Sequence, residues 1–411
     1  MKNQAGSRID SGPGVSGSIQ KGQEASPFLP SAARKHIFSS RLAVIFFLAV
    51  AFPFFAPAHA QQSAKRNGQP AGKVTVDKDG TVHVPAFDVP LSSYMSEEAK
   101  RAYIEQRLNP LTLDPKASIS QRRAAVDGYY RPLVERGKAL YPVHIEEQTI
   151  AGVRVDVVTP KEGISERNRN RVLINLHGGG FVVGGGLGGL AESIPIASLG
   201  EFRVISVDYR MAPEYKSPAA SEDVAAVYRE LLKQYEPAAI GIYGCSAGGM
   251  LTAMAVAWFQ KERLPAPGAI GLFCTPDGRN YMGGDSGHLA LPLGLPPGST
   301  GTLPTTPSPP PMKNPYFGNA DSNDPLFSPF VSSEVLSKFP PALLISGTRD
   351  PFLSNVLYIH RALAKAGVEA DLNVWDGMWH NFLFEMNLPE SKDAYGVIVK
   401  FFDKHLASTS H

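Results

Sequence analysis

Gly241-Ile242-Tyr243-Gly244-Cys245-Ser246-Ala247-Gly248-Gly249-Met250 is the stretch whose reading decides the fold. A β-branched and aromatic run, Ala239 to Tyr243, leads into it, and a small-residue helical run, Ala247 to Trp258, leads out. Gly244, Ser246 and Gly248 fit G-x-S-x-G, which at a strand-to-helix junction forms a nucleophile elbow. The sharp turn holds the serine in a strained backbone conformation. Side chains two residues before and after it would collide with neighbouring elements, so both positions need glycine. The hydroxyl then stands at a helix N-terminus, where backbone N–H groups and the dipole favour negative charge. In a chain with 39 glycines this pattern alone specifies little, and its weight comes from its surroundings.

Upstream, the apolar run Val172–Leu176 ends in His177-Gly178-Gly179-Gly180-Phe181. Three glycines let backbone approach a substrate closely and turn N–H groups toward it. Acyl transfer needs such donors, because negative charge develops on the carbonyl oxygen in the transition state. A phosphate-cradling loop is the competing reading, but no P-loop Lys-Ser/Thr follows, and Gly184-Gly185-Gly186 reads as flexible loop. Paired with the elbow, the run is an oxyanion-hole signal.

A serine nucleophile also needs a base and a residue that orients it. Downstream, Ala342–Ile345 runs into Ser346-Gly347-Thr348-Arg349-Asp350-Pro351, and Leu372–Val374 runs into Trp375-Asp376-Gly377-Met378-Trp379-His380. Each run places a polar residue just past the C-terminal end of a strand, where open α/β sheets build their sites. The chain order Ser246, Asp350, His380 is that of the α/β-hydrolase fold. Asp376, four residues before the histidine, competes for the role of acid. Cys245 competes for that of nucleophile, against its reading as a small packed thiol.

The rest of the chain fits this frame. From Thr149, strand-like runs alternate with helix-like ones (Ser221–Tyr235, Ala247–Lys261, Ser354–Ala366 and Lys392–His405). That rhythm predicts a mostly parallel sheet covered on both faces. Before it, Ser96 caps a helical pattern through Leu108, and a second run follows Ser120. These are expected at 84–148, either as a lid or as plain packing helices. Leu291 to Pro315 is dense in Pro, Gly, Ser and Thr and reads as a long loop. Residues 1–33 are polar and biased. Arg34, Lys35 and Arg41 then precede the uncharged run Leu42–Ala56, and Ala58-His59-Ala60 follows. The run is short for a membrane span and matches a signal peptide cleaved after Ala60, with an N-terminal anchor as the rival. A flexible linker is expected at 61–83. A net charge of +2 points to no nucleic-acid partner. Two cysteines exclude a disulfide framework, and the absence of H-E-x-x-H speaks against a zinc hydrolase.

With these pieces assembled, the chain resembles the bacterial hormone-sensitive-lipase-like esterases of the α/β-hydrolase superfamily, from about Val84 onward. The resemblance rests on His177-Gly178-Gly179-Gly180, on Asp208-Tyr209-Arg210-Met211-Ala212-Pro213-Glu214 and on Gly244-Cys245-Ser246-Ala247-Gly248-Gly249. Asp350-Pro351 and Gly377-Met378-Trp379-His380 complete it. It implies a nucleophile at Ser246, an acid at Asp350 and a base at His380. It further implies an oxyanion hole from Gly178, Gly179, Gly180 and Ala247, in which Gly178 supports the turn, and N-terminal helices capping the pocket. The Asp208–Glu214 stretch is expected to brace loops. Short to medium acyl esters are the implied substrates, with no cofactor or metal, and Phe181, Trp379 and Phe382 are expected as an apolar pocket wall. Two departures stand out. Cys245 occupies a position usually acidic in the family, and Ser354 stands where a second carboxylate is common. A lactonase, a sugar deacetylase and a non-catalytic ligand receptor of the same fold are the competing functions.

Overall fold

The computed structural model describes residues 72–111, 114, 116–281, 283–294 and 314–407. The expected signal segment (1–60), the first part of the expected linker (61–71) and most of the proline-rich stretch (295–313) lie outside the described residues. Of the described residues, those from 72 to Ala86 form one unit and those from Phe87 onward another. In the first, where a linker was expected, β1 (Thr75–Val76) pairs antiparallel with β2 (Val82–His83). Gly80 (φ 89°) turns the chain between them.

In the second unit, α1 (Glu97–Leu108) starts at Ser96, whose side chain accepts from the Ala99 N–H. Helix α2 (Ile119–Leu140) is capped by Ser118, not Ser120, because Gln121 closes a reciprocal capping box with it. Then follow β3 (Val143–Ile150), β4 (Val153–Pro160), β5 (Val172–Leu176), α3 (Leu187–Gly200), β6 (Arg203–Val207), α4 (Ala219–Leu231), β7 (Ile240–Cys245) and α5 (Ala247–Lys261). The chain continues as β8 (Ala269–Phe273), α6 (Asp285–Leu289), α7 (Leu291–Gly294), α8 (Ser333–Leu336), β9 (Ala342–Arg349), α9 (Leu353–Lys365), β10 (Ala370–Trp379) and α10 (Pro389–His405). The sheet thus begins at Val143, before the expected boundary at 149.

Eight strands form one sheet in the order β10-β9-β8-β7-β5-β6-β4-β3. The six from β10 to β6 are parallel, and β4 runs against both of its neighbours. The sheet bears out the α/β-hydrolase expectation. One apolar layer lies on α4, α5 and α9, through residues such as Val224, Met254 and Ile359. The other lies on α1, α2, α3 and α10, through Tyr103, Tyr130, Ile194 and Phe402. From β5 the chain crosses to β6 on one side, then returns to β7 on the other. The order reverses between β5 and β7, so the connections leaving their C-terminal ends diverge and open a crevice. The two glycine-rich stretches occupy those ends. Among the described residues no helix is long and apolar enough to cross a membrane.

Candidate active site

Strand β7 runs straight into α5 through Ser246, whose φ of 58° and ψ of −120° show the strain expected of an elbow. The flanking glycines are dictated by one carbonyl. A Cβ on Gly244 would come within 2.2 Å of the Leu176 carbonyl oxygen, and one on Gly248 within 1.8 Å. The end of β5 therefore presses against both sides of the turn, and only hydrogen fits.

His380 and Asp350, the expected base and acid, arrive from the two strands at the far end of the sheet. His380 Nε2 lies 3.0 Å from Ser246 Oγ, and His380 Nδ1 lies 3.0 Å from Asp350 Oδ1. Asp350 is fully buried and takes two further donors, Ser346 Oγ at 2.9 Å on Oδ2 and the Phe352 N–H at 2.9 Å on Oδ1. Burial opposes its charge. The His380 charge and hydrogen bond, with the two other donors, outweigh burial and hold the carboxyl below its ordinary value. For His380 burial likewise favours the neutral form, and Asp350 overrides it and raises the pKa. With an ionised carboxylate at Nδ1, that nitrogen carries the proton. Nε2 is then the acceptor that faces the serine hydroxyl. Asp376 lies elsewhere. It accepts from Thr348 Oγ1 at 3.0 Å and from Ser92 Oγ, both at exposed positions, and does not touch His380.

Cys245 takes no part in these two contacts. Its thiol donates to Asn381 Oδ1 at 2.9 Å, and burial pushes its pKa well up, so it is a neutral thiol that braces the loop after the histidine. Cys274, Asp350 and His380 offer three possible metal-ligand atoms within 4.8 Å of one another. Two of the three residues already bond each other.

Gly179 (φ 110°) and Gly180 (φ 63°) take conformations open to glycine, and a Cβ on Gly179 would meet the Val183 carbonyl oxygen at 2.0 Å. The N–H groups of Gly179, Gly180 and Ala247 have no hydrogen-bond partner among the described residues. The Gly178 N–H is occupied, donating to Glu192 Oε1 at 2.9 Å. Gly178 is thus a support of the turn and not a donor to a ligand.

Glu192, on α3, is absent from the sequence expectations. Burial pushes its carboxyl up to about 8, against the pull of the N–H donors of Gly178, Asn175 and Cys245.

The expected pocket rings are also partly reassigned. Phe181 stacks on Tyr316 at 4.7 Å and belongs to the apolar layer on α4, α5 and α9. Phe382 is fully buried in the opposite layer, 5.7 Å from Trp375. Both rings are consumed by packing around the site. Trp379 packs at 5.6 Å on Tyr103 of α1. Tyr103 Oη in turn donates to the Leu293 carbonyl, and Arg349 sits over its ring at 4.9 Å. Helix α1 therefore rests on the strand ends that directly precede Asp350 and His380.

Helix α2 is fixed to the other side of the site. Arg123 Nε donates to the Val182 carbonyl at 2.9 Å and Nη2 to that of Ala212 at 2.8 Å. Two further bonds of 2.8 Å reach the carboxylate of Glu214. In the same stretch Asp208 pairs with Arg154 and Arg210 with Asp223. The Asp208–Glu214 residues are thus braces, as expected. Ser354, where a carboxylate was the family pattern, accepts from the Ser286 N–H at 3.0 Å and ties α6 to α9.

A family model for the alpha/beta hydrolase fold matches residues 173–384, over half of the chain. The protein LipR of Mycobacterium tuberculosis is 30% identical over 290 residues, covering 69% of this chain and 87% of its own. An ethyl acetate hydrolase of Pseudomonas putida is 30% identical over 248 residues, 57% of this chain and 73% of that one. The crystal structure of an esterase from the bacterial hormone-sensitive lipase family superposes with a TM-score of 0.63 at 28% identity, covering 76% of this chain and 99% of that one. The chain belongs to the alpha/beta-hydrolase fold family, among its esterases of the hormone-sensitive-lipase type.

Proposed function

We propose that this carboxylic-ester hydrolase cleaves short to medium acyl esters through an acyl-enzyme on Ser246. The observation that carries the reading is the unbroken line Ser246 Oγ, His380 Nε2, His380 Nδ1, Asp350 Oδ1, with both contacts at 3.0 Å. His380 takes the hydroxyl proton as Oγ attacks the ester carbonyl, and Asp350 holds the imidazole tautomer and stabilises the cation that forms. The N–H groups of Gly179, Gly180 and Ala247 receive the oxyanion, with the N-terminus of α5 adding its dipole. The alcohol leaves with the proton from His380. Water, activated by the same imidazole, then releases the acid. The short-acyl preference draws on the Pseudomonas putida relative, named for ethyl acetate.

Turnover of p-nitrophenyl esters of graded chain length, beside a lactone and an acetylated sugar, defines the substrate class. Ser246→Ala is expected to lower ester turnover by about 10⁴ to 10⁶, His380→Ala by about as much, and the double variant by little more. A serine-directed phosphonate should label Ser246 alone. Substantial activity in a folded Ser246→Ala protein refutes the assignment. Export with cleavage after Ala60 is also proposed, on the basic flank, apolar run and Ala58-His59-Ala60. Intact-mass analysis should find Gln61 first, whereas full-length chain in the membrane fraction supports an anchor instead.

A further inference from the structure

Helix α3 delivers a carboxyl group to a place where the triad does not use one. Glu192 is only 7% exposed, and its carboxyl oxygens meet three N–H donors. Oε1 accepts from the Gly178 N–H at 2.9 Å, and Oε2 accepts from Asn175 Nδ2 at 2.9 Å and from the Cys245 N–H at 3.2 Å. The sheet explains why two backbone donors are available there. β5 and β7 stay paired from Val172 with Ile240 to Leu176 with Gly244, and no further. The Ser246 N–H points to the β8 side, bonding the Phe273 carbonyl, so by strand alternation the Cys245 N–H points to the β5 side. There the chain has already turned into the glycine loop. Cys245 lies one residue beyond the last β5–β7 pair and Gly178 two; both are buried, and one carboxyl group satisfies both N–H groups.

The position of those two residues gives the contact its meaning. Gly178 directly precedes Gly179 and Gly180. Cys245 directly precedes Ser246 and Ala247. The two segments are already close, since a Cβ on Gly178 would lie 3.5 Å from Ser246 Cβ. Asn175 orients the clamp. Its Oδ1 accepts from Ser206 Oγ at 3.1 Å, which aims Nδ2 at Glu192. We propose that Glu192 is a positioning residue for the oxyanion donors: its carboxyl group sets the spacing of the Gly179–Gly180 loop from the Ser246–Ala247 turn, so that both present N–H groups to one substrate oxygen. The inference rests on the reading of Ser246 as nucleophile. A packing role alone would be met by an isosteric amide. An amide, however, offers a single acceptor oxygen and turns its own N–H₂ against one of the backbone donors.

Glu192→Gln is therefore the test, with kcat and KM measured separately on p-nitrophenyl acetate. Affinity for an aryl trifluoromethyl ketone, whose serine hemiketal places an oxyanion on the same donors, is measured in parallel. The expected result is a kcat lower by about 10- to 100-fold, somewhat less than the loss of a whole oxyanion donor. KM should stay within about threefold, and ketone affinity should fall in step with kcat. Phosphonate labelling of Ser246 in wild type and variant separates the two possible failures. If wild type is labelled elsewhere, the nucleophile reading falls. If a folded variant labelled at Ser246 keeps wild-type kcat, or loses only KM, the role of Glu192 is overturned. Should Glu192→Gln yield no folded protein, Asn175→Ala decides: a several-fold lower kcat at unchanged KM supports the clamp, and unchanged kcat overturns it.

Discussion

Replacing Arg123 by leucine should separate buried backbone anchoring from surface charge in holding α2 to the site. The substitution keeps an apolar stem and deletes four hydrogen bonds, two to the carbonyls of Val182 and Ala212 and two to Glu214. The carbonyl bonds come from a charged donor in a part-buried setting and are worth about 1–2 kcal/mol each, because deletion leaves the acceptors unpaired. The Glu214 pair contributes about 0–1 kcal/mol, since its side chains are 29% and 46% exposed and solvent screens them. Arg123→Leu is thus expected to cost about 2–5 kcal/mol and Glu214→Gln about 1 kcal/mol or less. Urea unfolding of the three proteins at one pH and salt concentration measures both differences. The order should survive 0.5 M salt, which weakens only the exposed pair. Equal losses for the two variants, or a loss below about 1 kcal/mol for Arg123→Leu, would refute the idea that the loop carbonyls carry the attachment.

Asp350→Asn should nearly abolish turnover, and Asp376→Asn should change it little; the reverse order would move the acid. Because Asp350 raises the pKa of His380, and the base works only when neutral, kcat/KM of the wild type should rise with pH through a limb above the ordinary histidine value of 6.5. The same shift makes the His380–Asp350 attraction stabilise the fold fully below the unfolded histidine value and fade as pH climbs through the folded one. A pH–rate profile whose acidic limb lies at or below 6.5 contradicts the coupling. Cys245→Ala should keep most activity and resist thiol reagents as the wild type does; rapid thiol inactivation abolished by the substitution would make the cysteine a participant.

The chemistry was legible because it depends on residues that few other structures require. Glycines at 244 and 248, a strand running into His177-Gly178-Gly179-Gly180, and single polar residues past two late strands left little freedom. The supporting layer was hidden for a physical reason. Helix α3 contains Gly188, Gly189 and Pro195, and every residue from Gly188 to Ala197 is buried. A helix covered on all sides has no amphipathic period, so its stretch reads as loop, and Glu192 disappears with it. β3 escaped because it is an edge strand with mostly exposed side chains. The ring assignments failed differently. Phe181 and Phe382 lie next to the site in sequence, but their rings turn into the two cores, which neighbour positions alone do not reveal.

Finally, α1 and α2 do not sit on a separate cushion. Met95, Tyr103, Val126 and Tyr130 belong to the same apolar body as Ile194 of α3, Phe402 of α10 and Met378 and Trp379 beside the base. A methyl group added to Gly137 of α2 would strike the Met386 sulfur at 2.5 Å. The helix pair is therefore not a cassette. A chimera that exchanged these helices for a relative's would cut through a continuous interior, and it would have to import the matching faces of α3 and α10 as well. The outward positions Tyr94, Ile104 and Leu108 are exposed, and exchanging them leaves that interior uncut.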